Sequence, residues 1–273
     1  WQAVLRPALA DRRGRALMIS TPRGRNWFYH AFQRGLDPLA HDWEAWRAPT
    51  SANGLIAPEE IADVRALTPE RIFRQEYEAE FLEDGGEVFR GVRRAATAPV
   101  DAAPQPGHRY VAGIDWGRAN DFTAVAILDA TRMALVALDR FSGDEWALQR
   151  ARIAALLRGW GVSLALAEEN AMGGPNIEAL QREGLPVRPF SMTALSKPPL
   201  IESLVLGIEC GDLRLLPDEV LLGELESYTY QTLPSGRNRY GAPPGLHDDT
   251  VIALALAWKL AGTPAFTLSM AEV

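Results

Sequence analysis

Residues 110–140, "YVAGIDWGRANDFTAVAILDATRMALVALDR", decide the fold. Three short apolar runs, YVAGID, TAVAILD and MALVALDR, alternate with turn residues and read as strands. Short turns force such neighbours to run antiparallel. Downstream the rhythm changes. Asp144 opens an amphipathic helix through Trp160, the apolar strand SLALAE (163–168) follows, and a helix occupies about residues 176–183. The strand LPVRPF (185–190) precedes a helix opened by Pro198-Pro199. Residues 226–244 read as a hairpin with Ser235-Gly236 at its tip, and a last helix opens at Asp248. Helical crossovers permit parallel neighbours. The expectation is therefore an α/β three-layer fold with a mixed central sheet.

Upstream, "RALMISTPRGRNWFYHAFQRG" (15–35) reads as a buried strand at residues 16–19, a turn, and a helix from about Asn26. Pro58-Glu59-Glu60 is a good helix start, with proline at the first turn and acids facing the dipole, and a second helical stretch follows. The Pro/Ala/Gly-rich tract "RRAATAPVDAAPQPGHR" (93–109) has the composition of a linker.

Hydrophobic content of 47% and charged content of 23% are ordinary for a globular protein. The single Cys210 rules out an internal disulfide and suits a reducing compartment. The longest apolar run, residues 251–258, is too short to span a bilayer, so no membrane partner is expected. The chain opens without a start methionine or signal-peptide layout, which reads as a piece of something longer. A net charge of −7 argues against coating nucleic acid through bulk charge. It leaves room for a nucleic-acid enzyme, because a carboxylate metal site is itself acidic. The cations are 26 Arg and 2 Lys, Lys197 and Lys259.

The adjacent Asp248 and Asp249 pose a question, since one side-chain oxygen is enough to cap a helix. Two further acids end apolar strands: Asp115 closes YVAGID and Glu168 closes SLALAE. An acid at such a place is costly to desolvate unless something positive answers it. Mg²⁺ takes hard oxygen ligands, and two ions about 4 Å apart can activate water and stabilise a leaving oxygen. Each acid alone also has a structural explanation, as a turn former, a strand end or a cap. Glu169, next to Glu168, is sent to the opposite side by strand alternation.

Here the sequence resembles a known family. "GIDWGRANDFTAVAILD", "LALAEENAMGG" and "HDDTVIALALAW" are similar to the three acidic motifs of the nuclease domain of phage large terminases, the DNA-packaging motors of tailed phages. "ISTPRGRNWFYHAF" resembles the motif that ends the terminase ATPase domain, and "APTSANGLIAPEEI" with "FRQEYEAEFLEDGGEVF" resembles the run between the two domains. The likeness covers residues 16–261. It implies an RNase H-like, RuvC-type fold and DNA cleavage with two Mg²⁺ or Mn²⁺ ions. Asp115 and Glu168 match the first two acids, and Asp248 or Asp249 the third, with Asp248 preferred as the direct ligand. Adjacent helical residues point about 100° apart, so the pair should serve unequally. The resemblance divides the chain into an ATPase remnant (1–85), a linker (86–108), a nuclease domain (109–262) and a tail (263–273). No G-x-x-x-x-G-K-[ST] is present, so ATP hydrolysis is not expected of this chain.

Lys197 matches a basic position that the family places near its site, and its charge opposes the dipole of the helix it opens. Arg237 and Arg239 flank the hairpin tip, placed for DNA backbone or simply for solvent. His247, Asp121 and Thr123 have ordinary turn or capping roles as the first reading. The implied function is an endonuclease cutting concatemeric double-stranded DNA, with the portal protein and small terminase subunit as partners, in the cytoplasm of an infected bacterial host. The alternatives are a RuvC-like junction resolvase and a catalytically silent docking module.

Overall fold

The computed structural model describes residues 9, 14–24, 26–82, 86–117, 122–143, 145–170, 173–233 and 238–262. Asp121, Asp144, Ser235-Gly236, Arg237 and the tail from residue 263 lie outside these. Three antiparallel-linked strands, β1 (Tyr110–Asp115), β2 (Thr123–Asp129) and β3 (Ala134–Phe141), lead into helix α5 (Trp146–Gly159), numbered after the four upstream helices. Then come β4 (Leu164–Glu168), α6 (Gly173–Arg182), β5 (Val187–Phe190), α7 (Lys197–Glu209), α8 (Glu219–Ser227), the hairpin β6 (Thr229–Thr232) and β7 (Asn238–Gly241), and α9 (Asp249–Ala261). The five-stranded sheet has the order β3-β2-β1-β4-β5. β1 pairs antiparallel with β2 and parallel with β4, so the sheet is mixed as expected.

Alternation along the strands assigns the layers. Asp139 of β3 points to one side, where Arg152 of α5 forks onto it at 2.6 and 2.7 Å. Arg140, the next residue, points to the other side, toward the start of α9. Helix α9 is buried along nearly all its length and lies on β1 and β2, with α7 and α8 beyond it. A helix apolar on every face belongs in an interior.

The upstream helices are α1 (Trp27–Leu36), α2 (Pro58–Ala66), α3 (Glu70–Glu76) and α4 (Val92–Ala95). Asn26 caps α1 by accepting from the Phe28 and Tyr29 amides, and Pro58 stands in the first turn of α2. Residues 16–19 form no strand, and Ile19 is 86% exposed. A strand's backbone groups need a neighbour, and no described strand lies beside this run. The tract expected as a linker is instead a packed strap. Val88, Phe89, Val92 and Ala98 belong to the core, and the Ala98 amide donates to the Leu215 carbonyl at 2.9 Å. Helix α8 went unread in the sequence, although Asp218 caps it by accepting from the Val220 and Leu221 amides.

Among the described residues no helix is long and apolar enough to cross a membrane.

Candidate functional site

Period-two alternation carries Asp115 to the same face of β1 as Gly113. That face is covered by α9, and Gly113 permits the cover. A Cβ there would stand 1.9 Å from the Ala253 carbonyl oxygen and 2.6 Å from the Ala257 amide nitrogen. From this contact Asp115 lies two residues along the strand, about 6.6 Å away. Asp249 lies four residues back along the helix, about 6 Å away. The offsets match, so strand end and helix start arrive together.

Glu168 enters from β4. The parallel register pairs Ile114 with Ala167, so the next residues, Asp115 and Glu168, end neighbouring strands on one face. Their carboxyls are neighbours there, and Glu168 is among the groups that raise the Asp115 pKa. Asn170 Nδ2 donates to Glu168 Oε1 at 2.7 Å and to the Met192 carbonyl at 2.9 Å, fixing the glutamate from outside. Glu169 is turned away and accepts from the Ser191 hydroxyl.

At α9 the two aspartates divide. Asp248 occupies the N-cap position, yet its side chain makes no capping bond. Lys197 Nζ, at the start of α7, holds its Oδ2 at 3.2 Å. Asp249 is 4% exposed, with Oδ2 3.4 Å from Arg140 Nη2 and 3.8 Å from His247 Nδ1. Capping is done from α8: Glu224 Oε2 accepts from the Thr250 amide at 2.9 Å and the Thr250 hydroxyl at 2.5 Å. Arg140 Nη2 also stands 3.3 Å from Glu224 Oε1, and its guanidinium lies 3.4 Å over the Phe122 ring.

Asp115, Glu168, Asp248, Asp249 and Lys197 are thus brought together at the carboxyl end of β1 and β4. Arg239 is exposed on the outer face of β7, apart from the acids. Thr123 takes its turn role: its hydroxyl accepts from the Gly117 amide at 3.0 Å and donates to Gln149 at 2.8 Å. Arg140, Glu224, Asn170 and Tyr228 were missed. The Tyr228 hydroxyl is buried without a hydrogen bond among the described residues, and burial, then Asp248, pushes its pKa well up.

Asp115 keeps some accessible surface. The protein packed around its carboxyl still makes desolvation the first cause that raises its pKa well above 3.8, followed by Glu168, Asp249 and Asp248. A raised folded-state pKa means the folded chain holds this proton more tightly than the unfolded chain. The resulting stability is complete below the ordinary value and lost as pH rises through the raised one. Metal-free protein should therefore melt at lower temperature on going from mildly acidic to neutral pH. Asp115→Asn should flatten that slope and melt higher at neutral pH. Thermal melts in chelator check it, and an unchanged slope in the variant counts against the assignment.

Hard carboxylate oxygens around a buried, mutually repelling cluster are the donor set a divalent cation suits. Among the described residues no three His, Cys, Asp or Glu converge as a ready cage. Lys197 holds Asp248 at 3.2 Å, and Arg140 stands 3.4 Å from Asp249.

The sheet order β3-β2-β1-β4-β5, with acids at the ends of β1, β4 and the start of α9, defines an RNase H-like α/β protein. No family profile matches the chain. Among curated relatives, the terminase large subunit of Thermus virus P23-45 is 32% identical across the whole chain, and that of Thermus phage G20c is 31% identical. The chain spans 61% of the length of each. The crystal structure of the large terminase nuclease from phage G20c superposes with a TM-score of 0.59 at 29% identity, over 63% of this chain and 97% of that one. The same nuclease is known with bound magnesium, cobalt and zinc. The large terminase nuclease domain of Thermus phage P74-26 gives a TM-score of 0.57 at 30% identity, over 63% and 94% of the two chains. The chain belongs to the phage terminase large subunits, and its sheet matches that of their nuclease domain.

Proposed function

We propose that this chain carries the endonuclease of a phage DNA-packaging motor and cuts concatemeric double-stranded DNA with two Mg²⁺ or Mn²⁺ ions. The observation that carries the reading is the placement of Asp115, Glu168, Asp248 and Asp249 at the adjoining ends of β1 and β4 and the start of α9. The magnesium-bound relative supports it. When bound, the ions supply the positive charge that a phosphodiester and its departing oxygen need. Asp115, beside the other three acids, would be a ligand to the ions. Glu168, oriented by Asn170, and Asp249 would complete the ligand set, Asp249 taking the place preferred for Asp248 from the sequence because Lys197 holds Asp248. Lys197 and Arg239, with Arg237 beyond the described residues, meet backbone phosphates. In the full motor the portal protein and small terminase subunit are the proposed partners, inside the infected host. Residues 1–85 are proposed to belong to the ATPase half, residues 109–262 to the nuclease, and residues 86–108 join them. Plasmid cleavage with Mg²⁺ or Mn²⁺ against chelator tests the activity. Faster cutting of four-way junctions than of linear duplex would favour a resolvase, and no cutting of either would favour a docking module.

Asp248 and Asp249 should be inequivalent, because one is held by lysine at the rim and the other by arginine in the interior. Single alanine variants should differ in residual cleavage and in the metal concentration for half-maximal rate. Equal losses with equal metal dependence would refute the division.

Residues 109–262 hold 14 Lys and Arg against 19 Asp and Glu, a balance of −5. Binding to DNA should accordingly be weak and salt-sensitive, with Lys197, Arg237 and Arg239 as the main contacts. Three phosphate contacts predict a log–log slope of affinity against salt near −3, each removal lowering it by about 1. Losses should be alike across DNA sequences, since phosphates carry no base information. Tight, salt-indifferent or sequence-selective binding would contradict this.

A further inference from the structure

Arg71, in α3, is 8% exposed, and a buried guanidinium is costly unless its charge is answered. The inner face of the β6–β7 hairpin answers it. Arg71 Nη2 donates to the Tyr240 hydroxyl at 2.5 Å, and that hydroxyl donates to Glu202 Oε1 of α7 at 2.8 Å. The guanidinium lies 4.2 Å from the Tyr230 ring centre and 5.8 Å from that of Tyr240. These tyrosines are cross-strand partners, so one cation touches both strands. Nη1 is buried without a hydrogen bond among the described residues, a cost that an apolar side chain of the same shape would not incur. Helix α3 is itself tied down: the Glu70 amide donates to Glu209 Oε2 of α7 at 3.0 Å.

A two-stranded hairpin with four residues a side is marginal alone. Its outer face presents Gln231 and Arg239 to solvent. Its base reaches the acids, since a Cβ on Gly241 would stand 4.0 Å from Asp248 Oδ2. Glu202 is on the helix whose first residue, Lys197, holds that same aspartate.

We propose that Arg71 is a positioning residue: through Tyr240 it fixes the β6–β7 hairpin, and so sets where Arg239 meets DNA and where Asp248 stands. For its DNA partner this rests on the nuclease reading; the latch itself does not. Movement of α3, which precedes the nuclease core in the chain, passes directly to the hairpin.

Arg71→Met fills a similar volume without needing hydrogen bonds, and Tyr240→Phe removes only the hydroxyl. Amide hydrogen exchange in both should quicken by about tenfold or more in β6 and β7, with the five-stranded sheet unchanged. Arg71→Met should weaken double-stranded DNA binding about tenfold in the parent chain and less than about twofold in an Arg239→Ala background, the signature of coupled sites. Unchanged hairpin exchange in both variants, or equal weakening in both backgrounds, overturns the proposal. If Arg71→Met does not fold, Tyr240→Phe carries both measurements. If the parent binds no DNA, the nuclease reading fails, and hairpin exchange alone decides the latch.

Discussion

Asp115→Ala and Glu168→Ala should each abolish metal-dependent plasmid cleavage, by about a thousandfold or more, while the chain stays folded. Metal charge at the reacting oxygens contributes several kcal/mol, and each 1.4 kcal/mol is about tenfold in rate. Asp115 is the acid on which the other three act, so its loss removes the centre of the cluster. Glu168 is held in place by Asn170 and ends the strand beside Asp115, so its loss opens one side. Neither carboxyl supports the fold: both repel their neighbours when charged, and removing one relieves that repulsion. A metal-free melt at or above the parent's should accompany the dead activity. Full cleavage by Asp115→Ala would remove the basis of the site, and loss of activity through unfolding would leave no case for chemistry.

Gly113→Ala should have the largest effect on stability of any single methyl in the sheet. The new Cβ meets backbone atoms, the Ala253 oxygen and Ala257 nitrogen, rather than a side chain that can rotate aside. Overpacking of that kind sits at the upper end of its usual range, about 3 kcal/mol. For a unit of this size that lowers the melting temperature by about 6 to 12 °C. Helix α9 must move off β1, carrying Asp248 and Asp249 with it, and a displacement of about 1 Å can cost a hundredfold in rate. Gly223→Ala is the matched control. It lies in α8 with nothing within 4 Å of its Cβ position, so it should stabilise, by about 0.5 to 1 kcal/mol. Equal melting temperatures for the two variants would refute the close-approach argument.

The sheet and its acids were legible because each signal is local. YVAGID and SLALAE are apolar runs that end in a charge, and no interior needs an acid there. The mixed topology followed from turn length and helical crossovers. Arg140 and Glu224 were not legible as site residues for the opposite reason. Arg140 meets Asp249 109 positions away in the chain, and a contact of that span leaves no periodic trace. Asn170 stands two residues after the glutamate it orients, and its position after Glu168-Glu169 was the one available signal. The prolines and alanines of residues 93–109 give a linker composition, while three of the strap's four buried side chains, Val88, Phe89 and Val92, lie just before that tract. The run at residues 16–19 has strand composition, but composition supplies no hydrogen-bonding neighbour.

Glu224 places the end of α9 under the care of a different helix. Because Glu224, rather than either aspartate, accepts from the Thr250 amide, the acidic edge can be rewritten without unravelling the element that bears it. A lineage could lose cutting, or exchange one metal preference for another, through single substitutions that leave a fully assembled protein behind. Inactive copies would persist as intact parts of an assembly instead of being cleared as misfolded chains.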